Sequence, residues 1–363
     1  MFCNDNNQKN EKMNYQFSIV TPTPNLWQKI EQSPDSSCFF SSHWDTYLRK
    51  MGTKPFIVEV KQDGEPIGYF IGSRRWLGLR MVSAPSMGTG TYAQGLCMQQ
   101  PISEEKRVAI YRELTDWMLH THNADYIQIC DWQLRTDSKE WIDDWCNPLL
   151  DASNIHYQPR QTYYVDLRPS EDELWASLHY KSCKYAINKA RKLGLSVRRS
   201  ERREDRDAFV KQHHSHIVDV LHRKGNRGLP CQSEKNISAL CHTLFPDRIL
   251  MLEVIGPTED GQLQSMSSCI FTIDKDVCSY FTAASYQKYM HYCPNELMAW
   301  EGIRHLSNLG CTSLILGGLA QYKRKFSPVY AFVPVMIFSR FKFLNNARVI
   351  FKRIYWRIIH IFK

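Results

Sequence analysis

One order of secondary-structure elements is predicted twice along these 363 residues, and that repetition narrows the folds open to the chain. In the first pass, Phe56–Val60 and Ile67–Ile71 are β-rich runs joined by Asp63-Gly64, a dipeptide that suits the positive φ angles of a tight hairpin. Strand-like pieces follow over residues 76–98, broken by Pro85, Gly88, Gly90 and Gly95. Val108, Tyr111, Leu114 and Met118 recur at helical spacing, which predicts a helix from Glu104 to His120, and Asp125–Cys130 reads as a strand.

The second pass starts with a strand over Gln161–Leu167. Ser170 and Glu173 have the spacing of a capping box and open a helix predicted to run to residue 193, with Gly194 as its stop. Helices near 203–224 and 232–244 come next, then three β-rich runs at Ile249–Ile255, Ser265–Ile273 and Val277–Ala284. A helix over Pro294–Leu309, with proline in its first turn, leads to the strand Ser313–Leu316. The two passes share pattern without residue identity. Antiparallel strands with helices on their faces describe an α+β sandwich.

The chain is too long for one ordinary core, and 43% apolar with 23% charged residues is the balance of a folded globular protein. Residues 1–14 are polar, lack the apolar segment of a secretory signal, and are expected to be disordered. No run reaches the roughly 18 apolar residues of a spanning helix. The twelve cysteines contain no C-x-x-C pair, which argues against zinc-knuckle and thioredoxin-type chemistry.

Charge is distributed unevenly. Gly302–Lys363 holds eleven Lys or Arg and no acidic residue, although the whole chain is only +9. The positive field therefore belongs to one end, where phosphates or anionic lipid would be drawn.

Three segments have the composition for chemistry. The helix opened by Ser170 carries Lys181, Lys184, Lys189, Arg191 and Lys192 on its less apolar side, suited to a polyanion. Gly317-Gly318 ends a strand and is followed by Tyr322-Lys323-Arg324-Lys325-Phe326, three cations between aromatic walls. A lysine there is suited to stabilising an oxyanion or binding phosphate. The strand Tyr280–Ser285 runs into the helix start at Pro294-Asn295, where backbone groups are exposed to a ligand. His213, His214, His216 and His222 are close in sequence, but a helix is expected to put 213, 214 and 216 on different faces, and no metal site is expected.

Together these pieces resemble the FemAB-like and BioF2-like acyltransferases of the GNAT (acyl-CoA N-acyltransferase) superfamily. Glu173-Leu-Trp-Ala-Ser-Leu178 and Lys184-Tyr-Ala-Ile-Asn-Lys-Ala-Arg-Lys-Leu-Gly194 resemble the family's W-x-x-L and R-x-x-I-x-K-A-x-x-x-G. Tyr280–Ser285 with Pro294-Asn295, Leu297, Trp300, Ile303 and Gly310 is a second match, and Gly317-Gly318 with Tyr322-Lys323 and Phe326 resembles the family's GG and F-K-x-x-F ending. The chain departs from the pattern in having Ile315-Leu316 before the glycines, where an acidic residue is frequent, and Lys184 in place of arginine.

The resemblance implies two tandem GNAT-like domains, each a mixed, mostly antiparallel sheet flanked by helices, over residues 15–155 and 156–333. Residues 334–363 would then be a basic amphipathic tail. It implies N-acyl transfer, acetyl or aminoacyl, to an amino group of a cell-envelope precursor in the cytoplasm, with no bound cofactor. The donor would be acyl-CoA or aminoacyl-tRNA, and the acceptor a nucleotide- or lipid-linked amino sugar of peptidoglycan or surface polysaccharide. By carry-over Lys323 polarises the reacting carbonyl, with Tyr280 or Tyr322 handling a proton. Lys181, Lys184, Ser285, Asn295, Gly317, Gly318, Arg324 and Lys325 are candidate substrate contacts. From Phe351, apolar residues recur through Ile354, Tyr355, Ile358, Ile359 and Phe362 with cations between them, so residues 348–363 suit either an anionic membrane surface, on the inner face of the plasma membrane, or docking on the second domain. The competing reading is a non-catalytic basic module for RNA or acidic polysaccharide.

Overall fold

The computed structural model describes residues 15–76, 80–83, 95–137, 156–225, 232–274, 277–318, 320–341, 343–344, 346–347, 350 and 354. The segment 1–14, part of the strand region 76–98 and most of the helix expected over 348–363 lie outside these residues.

The first half contains strands β1 (Tyr15–Val20), β2 (Lys54–Gln62), β3 (Glu65–Trp76), β4 (Arg80–Ser83), β5 (Leu96–Met98) and β6 (Tyr126–Cys130). Its helices are α1 (Pro24–Gln32), α2 (Ser42–Lys50) and α3 (Glu104–His120). The second half contains β7 (His156–Asp166), β8 (Ser196–Arg199), β9 (Ile249–Pro257), β10 (Leu263–Thr272), β11 (Val277–Ser285), β12 (Ser313–Gly317) and β13 (Val329–Ser339). Its helices are α4 (Glu171–Ser177), α5 (Tyr185–Lys192), α6 (Arg203–Lys224), α7 (Glu234–Leu244) and α8 (Pro294–Asn308).

Local chemistry sets the turns. Asp63 and Gly64 have φ of 54° and 88°, the left-handed values that let β2 and β3 pair directly. The Ser170–Glu173 capping box forms, and Gly225 stops α6 in the left-handed region at φ 57°.

All the strands form one sheet, in the order β1-β2-β3-β4-β6-β13-β7-β12-β11-β10-β9-β8, with β5 beside β3. Each half has one parallel pair, β4 with β6 and β11 with β12, and the remaining pairs are antiparallel. Strand β13 joins the halves, pairing with β6 over Val335–Ser339 and with β7 over Val329–Ile337. The sheet thus continues through residue 333, where the second domain was expected to end, and the first ten residues beyond Ala331 are strand and turn before any tail begins. Pro334 sits opposite Pro159, so both missing N–H donors fall on the same rung.

The halves also interlock through α2. Trp44 packs edge-on against Phe281 of β11, and the Cys38 N–H donates to Asp274 at 2.9 Å. Trp44, Tyr47 and Leu48 share a core with Phe209, Leu240, Met251 and Ile270, so the helices before β2 stabilise the second half.

Two expectations need correction. The single helix expected over 173–193 is broken: Leu178 and His179 are extended, with ψ of 140° and 117°, and Tyr180–Lys184 forms a π-turn before α5. The break is tertiary in origin, because the His179 N–H donates to the Lys325 carbonyl at 3.1 Å. Second, His213 and His216 share a helix face, as their three-residue spacing permits. Both rings are buried and each Nδ1 lies 2.7 Å from the Ser268 hydroxyl. One hydroxyl proton serves two rings, so one histidine donates to Ser268 and the other accepts from it. Among the described residues no His, Cys, Asp or Glu group has a metal-binding arrangement.

Candidate active site

Strands β11 and β12 pair only at Val277–Ser279 against Ser313–Ile315. Beyond that point β12 bulges between Ile315 and Gly317 and pairs with Tyr163 and Tyr164 on its other edge. Strand β11 has its own irregularity opposite Ile270 and Phe271, between Tyr280 and Thr282, while it stays paired with β10. The two parallel strands therefore part, leaving a wedge whose edges carry backbone groups available to a ligand.

Lys323 occupies this wedge. The turn after β12 depends on Gly317 at φ +73°, a conformation any side chain would strain, and a short helix over Gln321–Phe326 follows. Buried Phe326 anchors that helix in the core with Trp300 and Leu316, which directs Lys323 inward. Its ammonium donates to the Leu316 carbonyl and lies 5.7 Å from the Tyr280 ring and 5.9 Å from the Tyr322 ring. Burial lowers its pKa from 10.5 to about 8, and among the described residues no carboxylate forms an ion pair with it. Lys323 is thus a cation that desolvation has made easy to deprotonate.

The tyrosines are placed as donors. The Tyr280 and Tyr322 hydroxyls hydrogen-bond to each other, and Tyr280 also meets the Cys269 thiol. Burial, reinforced by Tyr322 and Cys269, pushes Tyr280 well above its ordinary value, and burial pushes Tyr322 up to about 12. Both remain protonated at neutral pH, so neither is suited to act as a base there.

The remaining candidates divide around this centre. Arg324 donates to the Tyr163 hydroxyl at 2.8 Å and, with Tyr322 and Lys325, lines an open cleft of about 500 Å³. His179, Ser182 and Gln321 complete its lining. Sequence reasoning missed these three; His179 and Ser182 come from a distant segment held here by the His179 N–H on the Lys325 carbonyl and by the Ser327 hydroxyl on the Ser177 carbonyl. The Lys325 ammonium is neutralised by Glu296 on α8 at 2.7 Å. Gly317 is part of the wedge, and Gly318 follows it with open space where a Cβ would be. Ser285 and Asn295 bond to each other at 3.3 Å, five residues along β11 from Tyr280, roughly 16 Å at strand spacing and so away from Lys323. Lys184 donates to the Ala176 carbonyl at 2.8 Å, capping α4, and Lys181 is exposed on the π-turn.

The geometry has known counterparts. Residues 177–324 match the family model of the Acetyltransferase (GNAT) domain, a span that runs from the end of α4 through Lys323. A comparison of the sequence with curated proteins gives no match. The fold is similar to that of FemX, at 12% identity and TM-score 0.64, covering 87% of this chain and 96% of that one. It is also similar to a tandem GNAT protein from the clavulanic acid biosynthesis pathway, at 9% identity and TM-score 0.51 over 90% of this chain and 99% of that one. A domain assigned to a lysylphosphatidylglycerol synthetase of Agrobacterium fabrum matches at 11% identity and TM-score 0.54, over 89% and 94%. The architecture is two tandem GNAT-like halves, and the sequence resemblance to FemAB-like GNAT proteins holds for the fold.

Proposed function

We propose that this chain is an N-acyltransferase that moves an acetyl or aminoacyl group to an amino group on a cell-envelope precursor. The observation that carries this reading is Lys323, a cation without a carboxylate partner among the described residues, in the wedge between two parting parallel strands of a GNAT-like half. The reacting carbonyl would take the place of the Leu316 oxygen as acceptor of the Lys323 ammonium. As the amine attacks, the new C–N bond forms, the C–S or C–O bond of the donor breaks, and the developing oxyanion is held by that charge. Tyr280 or Tyr322 would give its proton to the departing thiolate or alkoxide and regain one from the ammonium that the attacking amine becomes, so that the protons balance. Holding donor and acceptor together in the cleft supplies the entropic part of the acceleration.

The GNAT match favours acyl-CoA as co-substrate, and the FemAB-like resemblance favours aminoacyl-tRNA; either would be a diffusing donor. An envelope acceptor agrees with the acid-free C-terminal end. Beyond β13, Phe341, Phe343, Ile350 and Ile354 are exposed while Leu344 is buried, and the exposed four support docking of that end on an anionic lipid surface. Among the described residues no helix is long and apolar enough to cross a membrane.

The test is turnover with acetyl-CoA and with aminoacyl-tRNA, each offered to nucleotide- and lipid-linked amino sugars and read by product mass. Lys323→Ala is expected to lower turnover about 10²- to 10³-fold, the cost of removing one oxyanion donor. Wild-type turnover in that variant would refute the assignment.

A further inference from the structure

The π-turn between α4 and α5 has an unusual consequence for two aromatic side chains. In an α-helix, residues five apart point about 140° away from one another. Here the Tyr185 N–H bonds to the Tyr180 carbonyl, the i→i+5 bond of a π-turn, which brings the two tyrosines nearer to one side than α-helical winding would. Both project into solvent, Tyr180 at 76% and Tyr185 at 67% exposure. Two exposed tyrosines on one short turn offer amphipathic ring surface of the kind that binding sites use.

The surroundings identify its chemistry. Leu174–Ser200 contains seven Lys or Arg and no acidic residue. Arg191, Arg198 and Arg199 are each paired with a glutamate, whereas Lys181, Lys189 and Lys192 have no acidic partner among the described residues. Lys181 is one position from Tyr180, and Lys189 lies four positions after Tyr185, one helical turn further on. The face thus combines amphipathic rings with flexible ammonium groups. It also adjoins the open cleft beside Tyr322 and Arg324, because His179 and Ser182 of the same segment line that cleft.

We propose that Tyr180, Lys181, Tyr185 and Lys189 form a docking face for an anionic lipid surface, which presents the open cleft lined by Tyr322 and Arg324 to membrane-borne substrate. Rings that stand out from a convex helix fit the headgroup layer, where a phenol places its ring among apolar carbons and its hydroxyl in water. Stacking on nucleic-acid bases calls instead for a groove that tracks the backbone. The inference extends the envelope reading and is separate from the contact expected of the C-terminal end, because it concerns the segment beside the cleft.

Partition of the full-length protein is measured on vesicles of phosphatidylcholine alone and with phosphatidylglycerol, for wild type, Tyr180→Ser/Tyr185→Ser, Tyr180→Trp/Tyr185→Trp, and a chain cut after Asn345. The serine pair is expected to lower binding to the anionic vesicles about fivefold at an unchanged melting temperature, and the tryptophan pair to retain or raise it. Neutral vesicles should bind weakly throughout. Loss of all binding on truncation, with none in the serine pair, would overturn the proposal and leave the C-terminal contact standing. Binding of a single-stranded oligoribonucleotide that is lost in the serine pair, with vesicle binding intact, would overturn it in favour of nucleic acid. Acyl transfer measured on soluble acceptors keeps this result separate from failure of the transferase reading, since that activity should persist in the serine pair.

Discussion

The two halves share a topology and handle charge in opposite ways. Each has a parallel pair, β4 with β6 and β11 with β12, and a turn that leaves the second strand of the pair. After β6 the chain enters Asp131, which is fully buried and accepts from Arg107 at 3.1 Å and from Tyr111 and the Gln133 N–H. Arg107, only 3% exposed, reaches Asp35 with its other nitrogen. Burial alone would lower the Arg107 pKa, but Asp131, Tyr111 and Asp35 outweigh it and hold the guanidinium firmly charged. After β12 the corresponding stretch leads to Lys323, which has a carbonyl and two rings around it. The first half satisfies its buried charge internally and becomes scaffold. The second places Lys323, shifted downward by burial, with no carboxylate partner among the described residues, and such a group is a candidate for chemistry.

The largest expected effect breaks the scaffold side of this contrast. Arg107→Ala strands Asp35 and Asp131 together in the interior, and stability should fall by about 3–5 kcal/mol in denaturant unfolding. Lys323→Ala removes a desolvated charge and should leave the midpoint nearly unchanged while turnover collapses. If the two substitutions destabilised the protein equally, Lys323 would be structural and the contrast would fail.

A smaller effect concerns acid sensitivity. Burial, with His216 and His214 adding to it, lowers His213 from 6.5 to about 3. Because the folded value lies below the unfolded one, the unfolded chain binds the extra proton between these limits. The stability that neutral His213 contributes is complete above about pH 6.5 and is lost as pH falls toward 3, at about 1.4 kcal/mol per unit for this one group. Melting temperatures from pH 7 to 5 should therefore decline in the wild type and decline less in His213→Gln. Parallel curves would place the acid sensitivity elsewhere, with the depressed carboxylates Asp125 and Asp166 next in line at lower pH.

Local features were legible in the sequence because their causes are local. The Asp63-Gly64 hairpin, the Ser170–Glu173 box and the helix Glu104–His120 need only neighbouring residues, and all are present. The Gly317-Gly318 turn and the Tyr322–Phe326 segment are local patterns too, and the structure folds Lys323 back onto the Leu316 carbonyl beside them. What remained hidden depends on distant partners. Strand β13 was missed because Pro334 argues against a central strand until Pro159 is found across from it. The break at Leu178 and His179 needs Lys325, and the joint face of His213 and His216 is revealed by Ser268. Ser285 and Asn295 looked like ligand contacts from their place at a strand end and a helix start, but they face one another.

The account rests on Lys323 being a half-buried cation without a carboxylate partner among the described residues, and its titration tests that without any substrate. NMR of the labelled side-chain nitrogen, assigned by the signal lost in Lys323→Arg, should show deprotonation near pH 8, because burial lowers this lysine to about that value. A midpoint at the ordinary 10.5 would mean that Lys323 is solvated or ion-paired, and the transferase centre would have to be sought elsewhere.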